Sequence, residues 1–192
     1  MTKAQRLIAR IEQGWRPFRD AVRGLGRARY DERTSAGWTY RDLVAHVAAW
    51  EDLSARRLRA FRETGDRAYP EEANDTDAFN ARVAESHRLV GAEALVDELD
   101  TAHRRLLEEI GRPDDAQMDA AVQATAWGPQ SWVVAVVAGN TFGHYREHAD
   151  ELGIPRTLPS PGRADRGEDE VEHPGAREGF ARPSDGSQEQ KA

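Results

Sequence analysis

From Thr2 to Leu152 the apolar residues recur at intervals of three and four, and no stretch shows the convincing alternation of a half-buried strand. A chain patterned this way can bury its apolar atoms only by packing helices on helices. Four long helical segments are expected. The first opens at Thr2, where T-x-x-Q with Gln5 has the form of a capping box, and buries Leu7, Ile8, Ile11, Trp15, Phe18 and Val22. Pro17 falls inside it and is expected to kink it. The second starts at Thr39, with Asp42 three residues on, and runs to about Thr64 before Gly65; its stripe is Leu43, Val47, Trp50, Leu58 and Phe61. After a polar connection, Gly65 to Asp75, two stretches at 76–90 and 92–111, interrupted at Gly91, count together as the third. The fourth follows a loop through Trp127, with Gly128 at its cap and Pro129 in its first turn, and ends at Leu152 before Gly153.

From Pro155 onward the pattern stops. Five of the nine prolines lie there, and Leu158, Val171 and Phe180 stand isolated. Such a segment buries too little surface to offset its ordering entropy, so 156–192 is expected to be a disordered tail on a 1–155 domain. The fold class is therefore all-α: a four-helix bundle with a long crossover between its second and third helices.

Composition excludes several functions. The formal charge of -7 argues against gripping a nucleic-acid backbone. With no cysteine there is no disulfide, thiolate ligand, cysteine nucleophile or iron–sulfur cluster, so any thiol chemistry needs an external thiol. The N-terminus lacks the form of a secretory signal, and the longest apolar run, Trp132 to Gly139, is far short of a membrane span. A cytoplasmic location, with no membrane and no nucleic-acid partner, is the expectation.

The histidines carry the chemistry. His173 is in the tail and is set aside. His46 lies within the apolar stripe of the second helix, between Leu43 and Trp50. His144 and His148 are one turn apart on one face of the fourth, where the stripe turns from hydrocarbon to polar. Two histidines at i and i+4 can reach one divalent ion, with nitrogens about 2 Å from it, and a third ligand must come from another helix at the same depth. His46 lies about 10 Å from the start of its helix, and His144 and His148 lie about 12 and 6 Å from the end of theirs, at about 1.5 Å per residue. Antiparallel packing would bring all three to one level. Spacing alone leaves His87 and His103 as rivals for the third place, because both also border apolar positions.

Two segments carry a resemblance. GWTYRDLVAHVAAWE, Gly37 to Glu51, is similar to the signature of the DinB/YfiT-like superfamily, and NTFGHYREHADEL, Asn140 to Leu152, is similar to its C-terminal motif. NDTDAFN, Asn74 to Asn80, and the NT-x-x-HY run resemble the ClbS/DfsB-like family. The first motif also resembles the metal-binding domain of mycothiol-dependent maleylpyruvate isomerases. The resemblance covers residues 1 to about 155 and selects His46, His144 and His148 as ligands of a divalent metal, zinc or nickel. It implies a metal-dependent thiol S-transferase of detoxification, acting on small electrophiles with a low-molecular-weight thiol such as mycothiol. It leaves two alternatives: a ClbS-like hydrolase that opens a strained warhead for self-resistance, and a binding or sequestration protein without turnover. ClbS-like members often lack the second histidine of the pair, so His148 favours a metal site. Homodimers are common in the superfamily and are an expectation for that reason alone.

Around the triad, Glu147 is the candidate catalytic group, to orient a ligand or move a proton. Trp50, Asn80 and Asn140 are the candidate substrate-binding residues. The competing readings are a solvated charge for Glu147, core packing for Trp50 and satisfaction of a backbone group for Asn140.

Overall fold

The N-caps predicted at Thr2 and Thr39 form. Thr2 accepts from the Gln5 N–H while the Gln5 side chain returns to the Thr2 N–H, and α1 (Lys3–Gly24) follows. Thr39 and Asp42 make the same reciprocal pair at the head of α2 (Tyr40–Thr64), which Gly65 ends in a left-handed conformation at φ 73°. The computed structural model describes residues 1–119, 122–125 and 128–155. Trp127, His173 and the expected tail at 156–192 lie outside the described residues.

The helical assignment of α1 continues through Pro17 without interruption. The crossover from Gly65 contains a single 3-10 turn, Glu71–Ala73, and leads to α3 (Thr76–His87), capped by Asp75. The expected third helix is in fact two. Gly91 starts a separate α4 (Ala92–Gly111), and it is α4, through Leu95, Leu99, Leu106 and Ile110, that packs most extensively on α2. A short α5 (Asp115–Asp119) follows.

The fourth segment departs from expectation at both ends. Gly128 and Pro129 do not start a helix; they lie in β2 (Gly128–Ser131), paired antiparallel with β1 (Val122–Thr125), Ala124 opposite Pro129. The helix begins at Trp132 because Ser131, unlike Gly128, has a side-chain oxygen that accepts from the Val134 N–H at 3.3 Å. α6 (Trp132–Asn140) then stops. The Asn140 amide donates to the Val136 carbonyl at 3.1 Å and the Thr141 hydroxyl to the Val137 carbonyl at 2.7 Å, so side chains compete for carbonyls a continuing helix would use. Thr141 leaves the helical region at φ −130°, ψ −107°, and α7 (Phe142–Glu147) restarts beyond it. After Glu147 the chain turns, with Gly153 at φ 68°, rather than continuing helical to Leu152.

The bundle's four members are thus α1, α2, α4 and the broken α6–α7 pair, with α3 against α2. Their core runs from Ile11 and Phe18 through Leu43, Val47 and Leu99 to Val133, Val137 and Phe142, all buried. Among the described residues no helix is long and apolar enough to cross a membrane.

Candidate metal centre

The break at Thr141 sets α7 so that its histidine faces α2. His144 Nε2 lies 2.7 Å from His46 Nε2, and the His148 ring centroid is 4.8 Å from that of His144 and 5.4 Å from that of His46. One ring nitrogen from each can be chosen so that all three lie within 4.8 Å of one another, and all three residues are buried. The rivals are elsewhere. His87 is held by the Val83 carbonyl at 2.7 Å and by Glu98, and His103 sits between Glu12 and Glu51.

Hydrogen bonds fix the state of the rings. An indole N–H can only donate, so the bond from Trp50 Nε1 to Asn80 at 2.9 Å identifies the Asn80 atom as the carbonyl oxygen. The same oxygen lies 3.0 Å from His46 Nδ1, which must therefore carry the proton, leaving the His46 Nε2 lone pair facing His144. His144 Nε2–H is then the donor across the 2.7 Å contact. That leaves His144 Nδ1 buried with no hydrogen-bond partner among the described residues. On the other side, His148 Nδ1 donates to Glu151 Oε2 at 2.9 Å. Glu151 is itself held: its Oε1 accepts from the Thr34 hydroxyl at 3.3 Å and its carbonyl from the Tyr40 hydroxyl at 3.0 Å. Two rings thus have the outer-partner arrangement found around metal-bound histidines, with Nδ1 spent on an oxygen and Nε2 turned inward.

Burial also keeps the His46 and His144 rings neutral. It pushes His46 down to about 3, with the neighbouring His148 adding to the shift and the Asn80 bond opposing it. Burial likewise holds His144 well below the ordinary imidazole range, with His46 and His148 contributing. Neutral imidazole is the form that ligates. This has a consequence for the metal-free protein. Both groups bind protons less readily folded than unfolded, so their stability contribution is complete above the unfolded value near 6.5 and is lost as pH falls towards 3. For His46 alone the loss at pH 5 is about 2 kcal/mol. Urea denaturation of metal-free protein is expected to show a lower midpoint at pH 5 than at pH 7.5, with a shallower dependence in His46→Phe. Equal pH slopes in the two proteins would contradict this.

Aromatic groups surround the cluster. The Trp38 ring stands edge-on to His46 at 4.9 Å, and Trp50 packs between His46 at 6.2 Å and Phe79 at 5.0 Å. The NDTDAFN segment thereby acquires a structural account: Asp75 caps α3, Phe79 packs on Trp50, and Asn80 orients His46. Trp50 and Asn80 therefore act behind His46. Asn140 is tied to Ser54 Oγ at 3.0 Å and to the Val136 carbonyl, which is the backbone-satisfying reading with an added link to α2. Glu147 lies on the exposed side of α7; partial desolvation pushes its carboxyl up, with His148 opposing. Trp38 and Glu151 were not singled out from sequence. Glu151 is three residues after His148, a helical-neighbour spacing that could have pointed to it.

Three buried imidazoles, one from α2, one from α7 and one just past its end, two of them anchored through Nδ1, suit a borderline-soft divalent ion such as zinc or nickel. Three ligands leave at least one coordination position for water or substrate.

Residues 10–152 match the DinB superfamily. No curated protein sequence matches significantly. Among solved structures, the mycothiol-dependent maleylpyruvate isomerase is similar with a TM-score of 0.64 at 19% identity, covering 81% of this chain and 64% of that one. This chain therefore spans just under two thirds of the isomerase's length. The colibactin self-resistance protein ClbS, solved in complex with a double-stranded DNA, gives 0.66 at 15% identity, covering 80% and 94%. An uncharacterised protein from Escherichia coli UTI89 gives 0.61 at 15%, covering 80% and 92%. At these identities the likeness is one of fold, and with the match over residues 10–152 the conclusion is that the chain belongs to the DinB superfamily.

Proposed function

We propose that this protein binds one divalent metal ion, zinc or nickel, through His46, His144 and His148, and uses it as a thiol S-transferase acting on small electrophiles. The observation that carries the reading is the convergence of three buried rings, two of them fixed as Nδ1–H by Asn80 and Glu151. A metal ion in such a site supplies Lewis acidity, which lowers the pKa of a bound thiol or water at neutral pH. The chain's own residues do the rest. Imidazole ligands add no negative charge, which favours an anionic sulfur as the further ligand. Trp38 and Trp50 crowd His46 and limit its access to water. Glu147, beside His148 with its carboxyl pushed up, is the candidate to move a proton at the rim. The absence of cysteine makes the thiol a separate small molecule, and the similarity to a mycothiol-dependent isomerase supports mycothiol as that molecule.

A second reading is supported by length: ClbS is matched over 94% of its chain. On that reading the same site activates water to open a strained ring. The two separate in one assay. Purified protein is analysed for metal, then incubated with a small electrophile with and without mycothiol, before and after chelation. The transferase reading expects about one metal per chain, and product that requires both metal and thiol. Product formed without thiol moves the assignment to hydrolysis. Stoichiometric capture without turnover moves it to sequestration, and a metal-free protein with unchanged activity overturns the metal reading.

A further inference from the structure

Behind the histidines lies a second buried polar cluster that the metal site does not use. Glu51 of α2 is fully buried; its Oε1 accepts from the Tyr145 hydroxyl, and its Oε2 faces His103 Nδ1 of α4 at 3.3 Å. His103 stacks on Trp15 at 3.8 Å, and its Nε2 reaches Glu12 at 3.3 Å. Burying a carboxyl group is costly, and apolar side chains of the same volume would join these helices without that cost. What apolar contacts would not supply is direction.

Direction matters here because of α7. It has six residues, and the break at Thr141 means that its rotation about its own axis is not inherited from α6. His144 and Tyr145 are consecutive, so their side chains leave the helix about 100° apart. One meets His46 on α2 and the other meets Glu51, five residues further along α2. Two ties on two faces, both to one long helix, fix the rotation that one tie would leave free. The Tyr145 ring is seated for this role: it stacks on Phe18 at 5.1 Å and lies against Gly14, where a Cβ would meet its Cδ2 at 3.1 Å.

We propose that Glu51 and Tyr145 are positioning residues of the histidine site: their hydrogen bond sets the rotation of α7, and so the direction in which His144 presents its ring to His46 and a metal. This rests on the metal-site reading for its purpose, but its geometric content can be tested without metal.

The test compares Tyr145→Phe, Glu51→Leu and Glu51→Gln, each checked for cooperative unfolding. Two measurements are made: the histidine ring nitrogen and proton signals of the metal-free protein by NMR, and cobalt(II) affinity from its visible absorption. Y145F and E51L are expected to shift or broaden the His46 and His144 ring signals and leave His87 unchanged. They are expected to bind cobalt about 10- to 100-fold more weakly, as when an outer partner of a ligand is lost. E51Q keeps an oxygen for the Tyr145 hydroxyl and is expected to recover most of that affinity. Folded Y145F and E51L with wild-type ring signals overturn the proposal, as does E51Q as impaired as E51L. If the wild-type protein takes up no cobalt, the metal reading fails by itself, and the ring signals still decide whether Glu51 and Tyr145 orient α7.

Discussion

His144→Ala is expected to abolish metal binding while the bundle still folds. His144 lies closest to His46, and no other described histidine can replace it, since His87 and His103 are held in other contacts. His46 on α2 and His148, just past α7, remain, and two imidazoles hold an ion more weakly than three. The cleanest readout is thermal stability with and without zinc. An ion that binds only the folded state stabilises it by about 2.7 kcal/mol at one hundred times its dissociation constant. The wild-type melting temperature should rise accordingly, and that of H144A should not respond. A zinc-dependent rise of equal size in H144A would remove His144 from the site. Without metal the variant loses packing around a buried ring but also removes His144 Nδ1, a buried atom with no hydrogen-bond partner among the described residues, so its own stability should fall less than a typical core truncation.

The second large effect is expected at Asn80. Its carbonyl oxygen receives both His46 Nδ1–H and Trp50 Nε1–H, and all three residues are buried. Asn80→Ala strands two donors, each costing about 1–3 kcal/mol, for a total of about 2–6 kcal/mol. It also frees His46 to move its proton to Nε2, the atom that faces His144, so metal affinity should fall with stability. Asn80→Asp keeps an oxygen acceptor for both donors and should retain the site. Its added charge beside His46 makes that ring more basic, so metal uptake by N80D should fail at a higher pH than in the wild type as the solution is acidified. If N80A and N80D behave alike in metal titrations, the oxygen is not what orients His46.

These two positions differ in how far they can be read from sequence. The helices announced themselves through local chemistry: Thr2 with Gln5, Thr39 with Asp42, and Gly65 just past a stripe. His144 and His148 share a face by spacing alone. The choice of His46 over His103 could not be made that way, because both lie on apolar faces; it depends on which helix α7 meets, and the depth match with the second helix and the motif resemblance together pointed to it. Asn80 and Glu51 were beyond local reading for the same reason, since their partners lie 34 and 94 residues away. The misjudged fourth helix has a different cause. Its apolar run is continuous, so periodicity could not reveal that Asn140 and Thr141 would turn their side chains onto the preceding carbonyls and end it, or that Ser131 would outcompete Gly128 as a cap.

That interruption has a kinetic consequence. A six-residue helix is far too short to persist in water without its neighbours, so α7 owes its order to the groups that clasp it. His144 lies within it and His148 immediately follows. A brief detachment of this one segment, with the rest of the bundle intact, would withdraw two ligands together. Ion exchange in such a protein should therefore keep pace with amide hydrogen exchange at Tyr145 and its neighbours, not with the much slower opening of the α2–α4 core.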